Sequence, residues 1–189
     1  MARARVVKAD PEQPPLAHTF TYATLTPAHA EAWRALRLEG ARDFPLGFLV
    51  SAREAEALTV ERCAEILQFG ALRGVLDAGR LIGFCGYRPQ RFERTRHRAE
   101  IGPFFVTASA HGTGAAQVLM DGILAEARAD DVARMELTVD AENARAIAFY
   151  TRNGFQRIAT LEDNVRLDGV SRTDLWMVLR LDAPNVSRK

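Results

Sequence analysis

SAHGTGAAQVLM, residues 109–120, sets Gly112 and Gly114 at the mouth of an apolar, periodic run. Glycine reaches backbone conformations closed to other residues and lets a ligand approach the main chain, and free N–H groups at a helix start attract phosphate. Three readings of the stretch compete. The simplest is a tight strand-to-helix turn with no ligand. A dinucleotide fingerprint, G-x-G-x-x-G, fails at its third position, where Gln117 stands, and this loop comes late in the chain rather than after a first strand. The third reading is a cradle for a pyrophosphate.

The rest of the chain narrows the choice. Its 189 residues are 48% hydrophobic and 26% charged, which suits one globular domain with a substantial core. A formal net charge of +1 gives no global field for nucleic acid or an anionic membrane. No apolar run approaches the roughly 20 residues of a membrane helix. The basic start, MARARVVKADPEQPPLAHTF, lacks the apolar stretch of a secretory signal. Cys63 and Cys85, each inside an apolar pattern, read as buried free thiols, which fits a reducing cytoplasm. Two cysteines and four scattered histidines do not make a zinc site.

Residues 1–18 carry three prolines and little periodicity and read as a flexible arm; 19–182 read as the domain and 183–189 as a tail. FTYATL alternates as an edge strand. In TPAHAEAWRALRLEG, Thr26 is an N-cap, Pro27 the first helical residue and Gly40 the stop, with Trp33 and Leu36 as apolar anchors. A second helical region opens on a Ser51–Glu54 capping box and continues through TVERCAEILQFG. The loop between them, RDFPLGFLV, is broken by Pro45 and Gly47. GVLDAGRLIGFCGY is a hairpin turning at Asp77–Arg80. In AEIGPFFV, Pro103 disfavours ordinary central pairing and marks a bulge or a place where the sheet opens. Helix, strand MELTV, helix NARAIAFYTRNG, strand FQRIATL and strand RTDLWMVLRL follow. The fold class is α/β (α+β): a mixed sheet of six to seven strands flanked by helices.

Downstream of the glycines, VDAENARAIAFYTRNGF carries Asn143, Phe149, Tyr150, Gly154 and Phe155. Asn143 and Tyr150 stand two helical turns apart, on one face. Each residue alone has a structural explanation: Asn143 caps the helix, Tyr150 belongs to its apolar face and Gly154 ends it. Their joint occurrence, one strand and one helix after a glycine-bearing loop, is more specific. With His111-Gly112-Thr113-Gly114-Ala115-Ala116 in place of the pattern Gln/Arg-x-x-Gly-x-Gly/Ala, the chain resembles the GNAT family of acyl-CoA N-acyltransferases from about residue 20 to 181. His111 departs from the usual Gln or Arg. Since such a loop binds phosphate through backbone N–H groups, arginine is expected to serve at 111 as well as histidine, or better.

The resemblance implies acetyl-CoA as co-substrate, with its pyrophosphate against the N–H groups of residues 111–116 and its pantetheine arm on the exposed backbone of Phe105 and Val106. It adds Asn143, Phe149 and Tyr150 to the cofactor site. It implies direct attack of a primary amine on the thioester, the N–H of Val106 facing the carbonyl oxygen and Tyr150 as general acid to the leaving thiolate. Glu100, 11 residues before His111, matches the position of a glutamate base in the histone-acetyltransferase branch. Glu136, Asp140, Glu142 and a water chain remain alternatives to it. A non-catalytic acyl-CoA-binding or regulatory module on the same fold is the alternative function.

RPQRFERTRHRAE holds five arginines and a histidine within residues 88–98. A solvated connection is favoured over a basic rim for an acidic substrate or the cofactor's 3′-phosphate. With Phe92 alone among them, it is no stacking surface for nucleic acid. The expected partners are therefore an amine substrate, small molecule or protein, with neither nucleic acid nor membrane; a homodimer stays open.

Overall fold

The computed structural model of the protein describes residues 18–181. Apart from His18, the expected arm and tail lie outside the described residues. The edge strand β1 (Phe20–Thr24) is followed by one 3-10 turn at Pro27–His29 and helix α1 (Ala30–Asp43). Next come α2 (Ala52–Ala57), α3 (Val60–Gln68) and the hairpin β2 (Leu72–Asp77) and β3 (Arg80–Pro89). Strand β4 (Arg98–Val106), helix α4 (Ala115–Ala129), strand β5 (Arg134–Asp140) and helix α5 (Ala144–Arg152) form two crossovers, and the long hairpin β6 (Gln156–Leu167) and β7 (Val170–Arg180) closes the fold. Seven strands make one mixed sheet in the order β1-β2-β3-β4-β5-β7-β6.

Local chemistry accounts for most boundaries. The β2–β3 turn places Ala78 and Gly79 at positive φ, as a two-residue hairpin requires. Asn143 caps α5 by accepting a hydrogen bond from the Ala146 N–H at 3.1 Å. The capping box also forms: Ser51 N–H donates to Glu54 at 2.8 Å, and Glu54 N–H donates back to Ser51 Oγ.

Two expectations need correction. Gly40 does not stop the first helix, which runs on to Asp43; a Cβ at 40 would stand 2.2 Å from the Phe48 ring, so the glycine lets that ring lie against the helix. The region after Ser51 is two helices, because Leu58 is extended and Thr59 starts a new one, its hydroxyl accepting from Arg62 N–H.

Each face of the sheet buries its own apolar layer. On one side Leu119, Met120, Ile123 and Ala127 of α4 meet Val75, Met135 and Leu137. On the other, Trp33 and Leu36 of α1 and Leu67 of α3 meet Leu81, Phe84 and Phe105. Burial on this scale, at about 25 cal/mol per Å² of apolar surface, is the main force holding helices to sheet.

The sheet opens at one place. β4 and β5 pair in parallel only from Arg98↔Arg134 to Glu100↔Glu136, whereas β4 stays on β3 as far as Gly83↔Val106. Past Glu100, Gly102 and Pro103 bulge from the β3–β4 ladder, and proline has no N–H to offer a neighbour. The strands part there, as the proline in the sequence implied.

Candidate active site

Two cavities meet in this opening. One, of about 350 Å³, runs between the glycine loop and α5, past Phe104, Phe105, Val106 and Phe149. The other, of about 780 Å³, lies between the α1–α2 segment, the ends of β4 and β5, and the β6–β7 hairpin. Phe104, Asn143, Ala146 and Tyr150 line both. Together they form a passage with Tyr150 at its junction.

The loop end fits a pyrophosphate. Gly112 and Gly114 sit at φ 79° and 96°, and a Cβ on either would project into open space. Within 111–116, His111 N–H donates to Ala108 O, Thr113 N–H to Ala110 O, and Ala115 N–H lies 3.4 Å from Thr113 Oγ1. The N–H groups of Gly112, Gly114 and Ala116 have no partner among the described residues. Three free donors at the positive end of α4 make an anion cradle. Thr113 shapes it, its hydroxyl donating to Ala110 O at 2.7 Å, while Ala115 is buried beneath.

His111 holds the loop rather than reaching outward. Arg145 has only donors, so its 2.9 Å contact makes His111 Nδ1 the acceptor; Nε2 then carries the proton and donates to Val106 O at 2.9 Å. The ring packs edge-on against Phe44, 5.7 Å between centroids. An arginine at 111 could not accept from Arg145, so these bonds speak against the expectation that arginine would serve equally. Arg145, 34 residues away, was invisible as a partner in the sequence.

The register assigns the backbone groups of β4. Thr107 N–H bonds Ile82 O, so the alternating ladder turns Phe105 toward Phe84 on β3 and leaves Phe104 and Val106 facing the gap. The bond from His111 to Val106 O agrees. Phe105 was expected to pair with the pantetheine arm; the register turns its backbone toward β3 and leaves the backbone of Phe104 facing the gap instead.

Tyr150 is buried, ringed by Phe104, Phe149 and Phe155 with centroids 5.7–6.3 Å away. Its hydroxyl has no hydrogen-bond partner among the described residues. Burial, with a smaller contribution from nearby Cys85, holds its pKa well above the usual phenol value, so it stays protonated at neutral pH. Burial likewise pushes the Cys85 thiol up to about 12, leaving it inert.

Charges on the wider cavity are mostly paired. Glu100, exposed at the point where β4 and β5 part, accepts from Arg88 at 3.0 Å. Asp140 is gripped by two guanidinium nitrogens of Arg172, Nε and Nη2, at 2.8 and 2.9 Å, and these bonds hold it below the usual carboxylate range. Glu142 shares the same arginine, and Glu136 is tied to Arg98 and Arg134 away from the cavity. Asp174 was missed in the sequence. It is buried on the cavity wall directly across from Asp140, and its hydrogen bond comes from the neutral amide of Asn164 at 2.8 Å. Only the strand pairing reveals it; in sequence it is one acid in a strand. In the arginine-rich segment, Arg98 is bound to Glu136 and Phe92 is exposed, in keeping with a solvated connection.

Comparison with known proteins bears on the family and the fold. Residues 27–155 match the acetyltransferase (GNAT) family. A Mycobacterium bovis protein described as an uncharacterized N-acetyltransferase is 33% identical over 136 residues, 70% of this chain and 77% of its own. The crystal structure of a ribosomal-protein-alanine N-acetyltransferase from Brucella melitensis superposes with a TM-score of 0.74 at 24% identity, covering 85% of this chain and 99% of that one. A Salmonella typhimurium protein solved with acetyl-CoA superposes at 0.75 and 17% identity, covering 89% and 99%.

Proposed function

The chain belongs to the GNAT family of acetyltransferases and is an acetyl-CoA-dependent N-acyltransferase; from that premise we propose that it moves an acetyl group to a primary amine by direct attack, using the passage that joins its two cavities at Tyr150. That junction is the observation that carries the reading. A donor-lined anion cradle stands at one end, a charged, roomier chamber at the other, and a buried phenol between them.

Acetyl-CoA, when bound, supplies an acyl group already activated as a thioester. The N–H groups of Gly112, Gly114 and Ala116 would hold its pyrophosphate, with Thr113, Ala115 and His111 shaping the loop. The gap-facing backbone of Phe104 and Val106 would align its arm beside Phe149, and Asn143 would keep the start of α5 in position. Val106 N–H would polarise the carbonyl oxygen, lowering the barrier to attack. The Tyr150 hydroxyl would give its proton to the departing sulfur. Glu100, oriented by Arg88 on the wall of the wider cavity, would take the proton the amine must lose. No covalent enzyme intermediate is required, which fits two buried cysteines, both free.

The acceptor chamber has the size of a small-molecule site and admits a small amine or an amine-bearing side chain. No described helix is long and apolar enough to cross a membrane, and the free thiols suit the cytoplasm. Measuring coenzyme A release from acetyl-CoA against a panel of amines tests the reading. Transfer to at least one amine is expected. Tight acetyl-CoA binding with no amine consumed would overturn it in favour of a binding module.

A further inference from the structure

Most charges on the wall of the acceptor chamber cancel in pairs; Arg37, Glu54, Asp168 and Asp174 have no ion-pair partner among the described residues. Four of its arginines have carboxylate partners: Arg42 with Glu56 at 3.0 Å, Arg88 with Glu100 at 3.0 Å, Arg166 with Asp163 at 2.7 Å and Arg172 with Asp140 at 2.8 Å. Arg37, on α1, has none among the described residues. Its guanidinium is half-buried and lies over the Trp33 ring, 5.3 Å from the centroid, and its Nε is buried with no hydrogen-bond partner. Glu54 is the carboxylate that acts on it through space, and that group is already bound to the N–H and hydroxyl of Ser51 at 2.8 and 2.7 Å. Burial draws the Arg37 pKa below its usual value, the mark of a cation whose lost hydration has not been replaced.

Of the three unpaired carboxylates, Glu54 and Asp168 are exposed and Asp174 is not. It is buried, faces Asp140 across the β5–β7 ladder, and receives only the Asn164 amide. Like charges directly opposite on neighbouring strands are unfavourable. Arg172 is committed to Asp140 and Glu142, so Asp174 is left with no ion-pair partner among the described residues on the chamber wall. One desolvated cation on the helical wall and one buried anion on the sheet wall are complementary to a ligand carrying both signs.

We propose that the acceptor is a small amino carboxylate, its carboxylate held by Arg37 and its amino group by Asp174. The proposal rests on the N-acetyltransferase reading and names the substrate class that reading leaves open. Arginine suits the task because its planar fork matches a carboxylate, and its stacking on Trp33 fixes that fork in advance. An aspartate on the wall of the chamber concentrates ammonium there before the proton is lost.

The test uses the protein amino acids, each as free acid and as C-terminal amide, in calorimetry with coenzyme A present and in acetyl-transfer assays. Wild type is expected to prefer the best free acid over its amide by about tenfold or more in kcat/KM, the size of one charge-assisted hydrogen bond. Arg37→Gln should bring that preference toward unity, and Arg37→Lys, which keeps charge but not the fork, should give an intermediate preference even if the glutamine variant fails to fold. Asp174→Asn should raise KM for acid and amide alike. Affinity for coenzyme A should hold in every variant. Amides used as well as acids by wild type, or an acid preference that survives Arg37→Gln, would overturn the proposal. If the acids bind wild type but not Arg37→Gln and none is acetylated, the transfer reading fails and the anion site stands. If no free acid binds, the proposal fails whether or not other amines are acetylated.

Discussion

Arg145 donates a hydrogen bond to Nδ1 of His111 across 2.9 Å, tying the first turn of α5 to the loop that precedes α4. With Nδ1 accepting, Nε2 is the donor that holds the carbonyl of Val106. A glutamine can reproduce both contacts, its amide nitrogen donating to Val106 and its oxygen accepting from Arg145. An arginine can reproduce only the first and sets two cations side by side. His111→Gln should therefore keep coenzyme A affinity within about threefold, while His111→Arg should weaken it by about tenfold, the cost of one charge-assisted bond. Calorimetric titration with coenzyme A decides this, and equal or tighter binding by the arginine variant would show that the bridge does not organise the site.

The glycine loop makes a separable prediction. Gly114 is left-handed at φ 96°, where a side chain costs about 1–2 kcal/mol, and its Cβ would project into the open cradle. Gly79, in the β2–β3 turn remote from both cavities, has φ 82° and equally open surroundings. Gly79→Val and Gly114→Val should lower thermal stability comparably. Only Gly114→Val should weaken coenzyme A binding, by about tenfold or more through lost phosphate contacts. Equal affinity in the two variants would mean that the phosphate lies elsewhere.

Features that depend on neighbours in the chain were readable before the structure was known. The turn at Asp77–Arg80, the capping box at Ser51 and the cap at Asn143 are short-range chemistry. Pro103 announced the opening of the sheet because a missing N–H acts wherever a strand would pair. What could not be read depends on contacts distant in sequence. Gly40 looked like a helix stop because the Phe48 ring that needs its space is brought there only by the fold. The commitment of Phe105 to β3 is a matter of register, which shifts at the bulge opposite Gly102 and Pro103. Asp174 and Arg37 stand out because they lack an ion-pair partner among the described residues, and absence of a partner has no sequence signature.

Beyond the site, Arg73 on β2 is buried and held by Glu126 on α4, with Nε 2.7 Å from the carboxylate and Tyr22 O–H donating to the same group at 2.6 Å. The hydrogen bond from Arg73 holds the Glu126 carboxyl below its usual range. A depressed carboxylate contributes stability that is complete above its unfolded pKa and is lost as pH falls through the folded one. Glu126→Gln should thus cost about 2 kcal/mol or more at neutral pH by leaving a buried guanidinium uncompensated. It should also lose less stability than wild type between about pH 5 and about pH 2, the span over which a depressed carboxylate titrates. Urea unfolding across that range tests both points, and parallel stability curves would remove the pair from the acid response. Coenzyme A affinity should not change, since neither residue lines either of the two cavities at the site.

Tyr150 separates an enzyme from a binding module. Its ring contacts Phe104, Phe149 and Phe155, and its hydroxyl bonds no described residue, so Tyr150→Phe keeps the packing and removes only the proton donor. Burial holds the phenol above its usual pKa, so its ionisation does not enter the pH profile near neutrality; the wild-type profile there should follow deprotonation of the acceptor amine and its base. With an accepted amine, turnover in Tyr150→Phe should fall about 10²-fold, the scale of one acid–base group, while thermal stability and acetyl-CoA affinity stay near wild type. Glu100→Gln, measured beside it, should lose most activity at low pH, where fewer amines are already neutral. Undiminished turnover in Tyr150→Phe would take the phenol out of the mechanism. A collapse of acetyl-CoA affinity together with turnover would make Tyr150 a wall of the binding passage, with the proton for the leaving sulfur drawn from solvent.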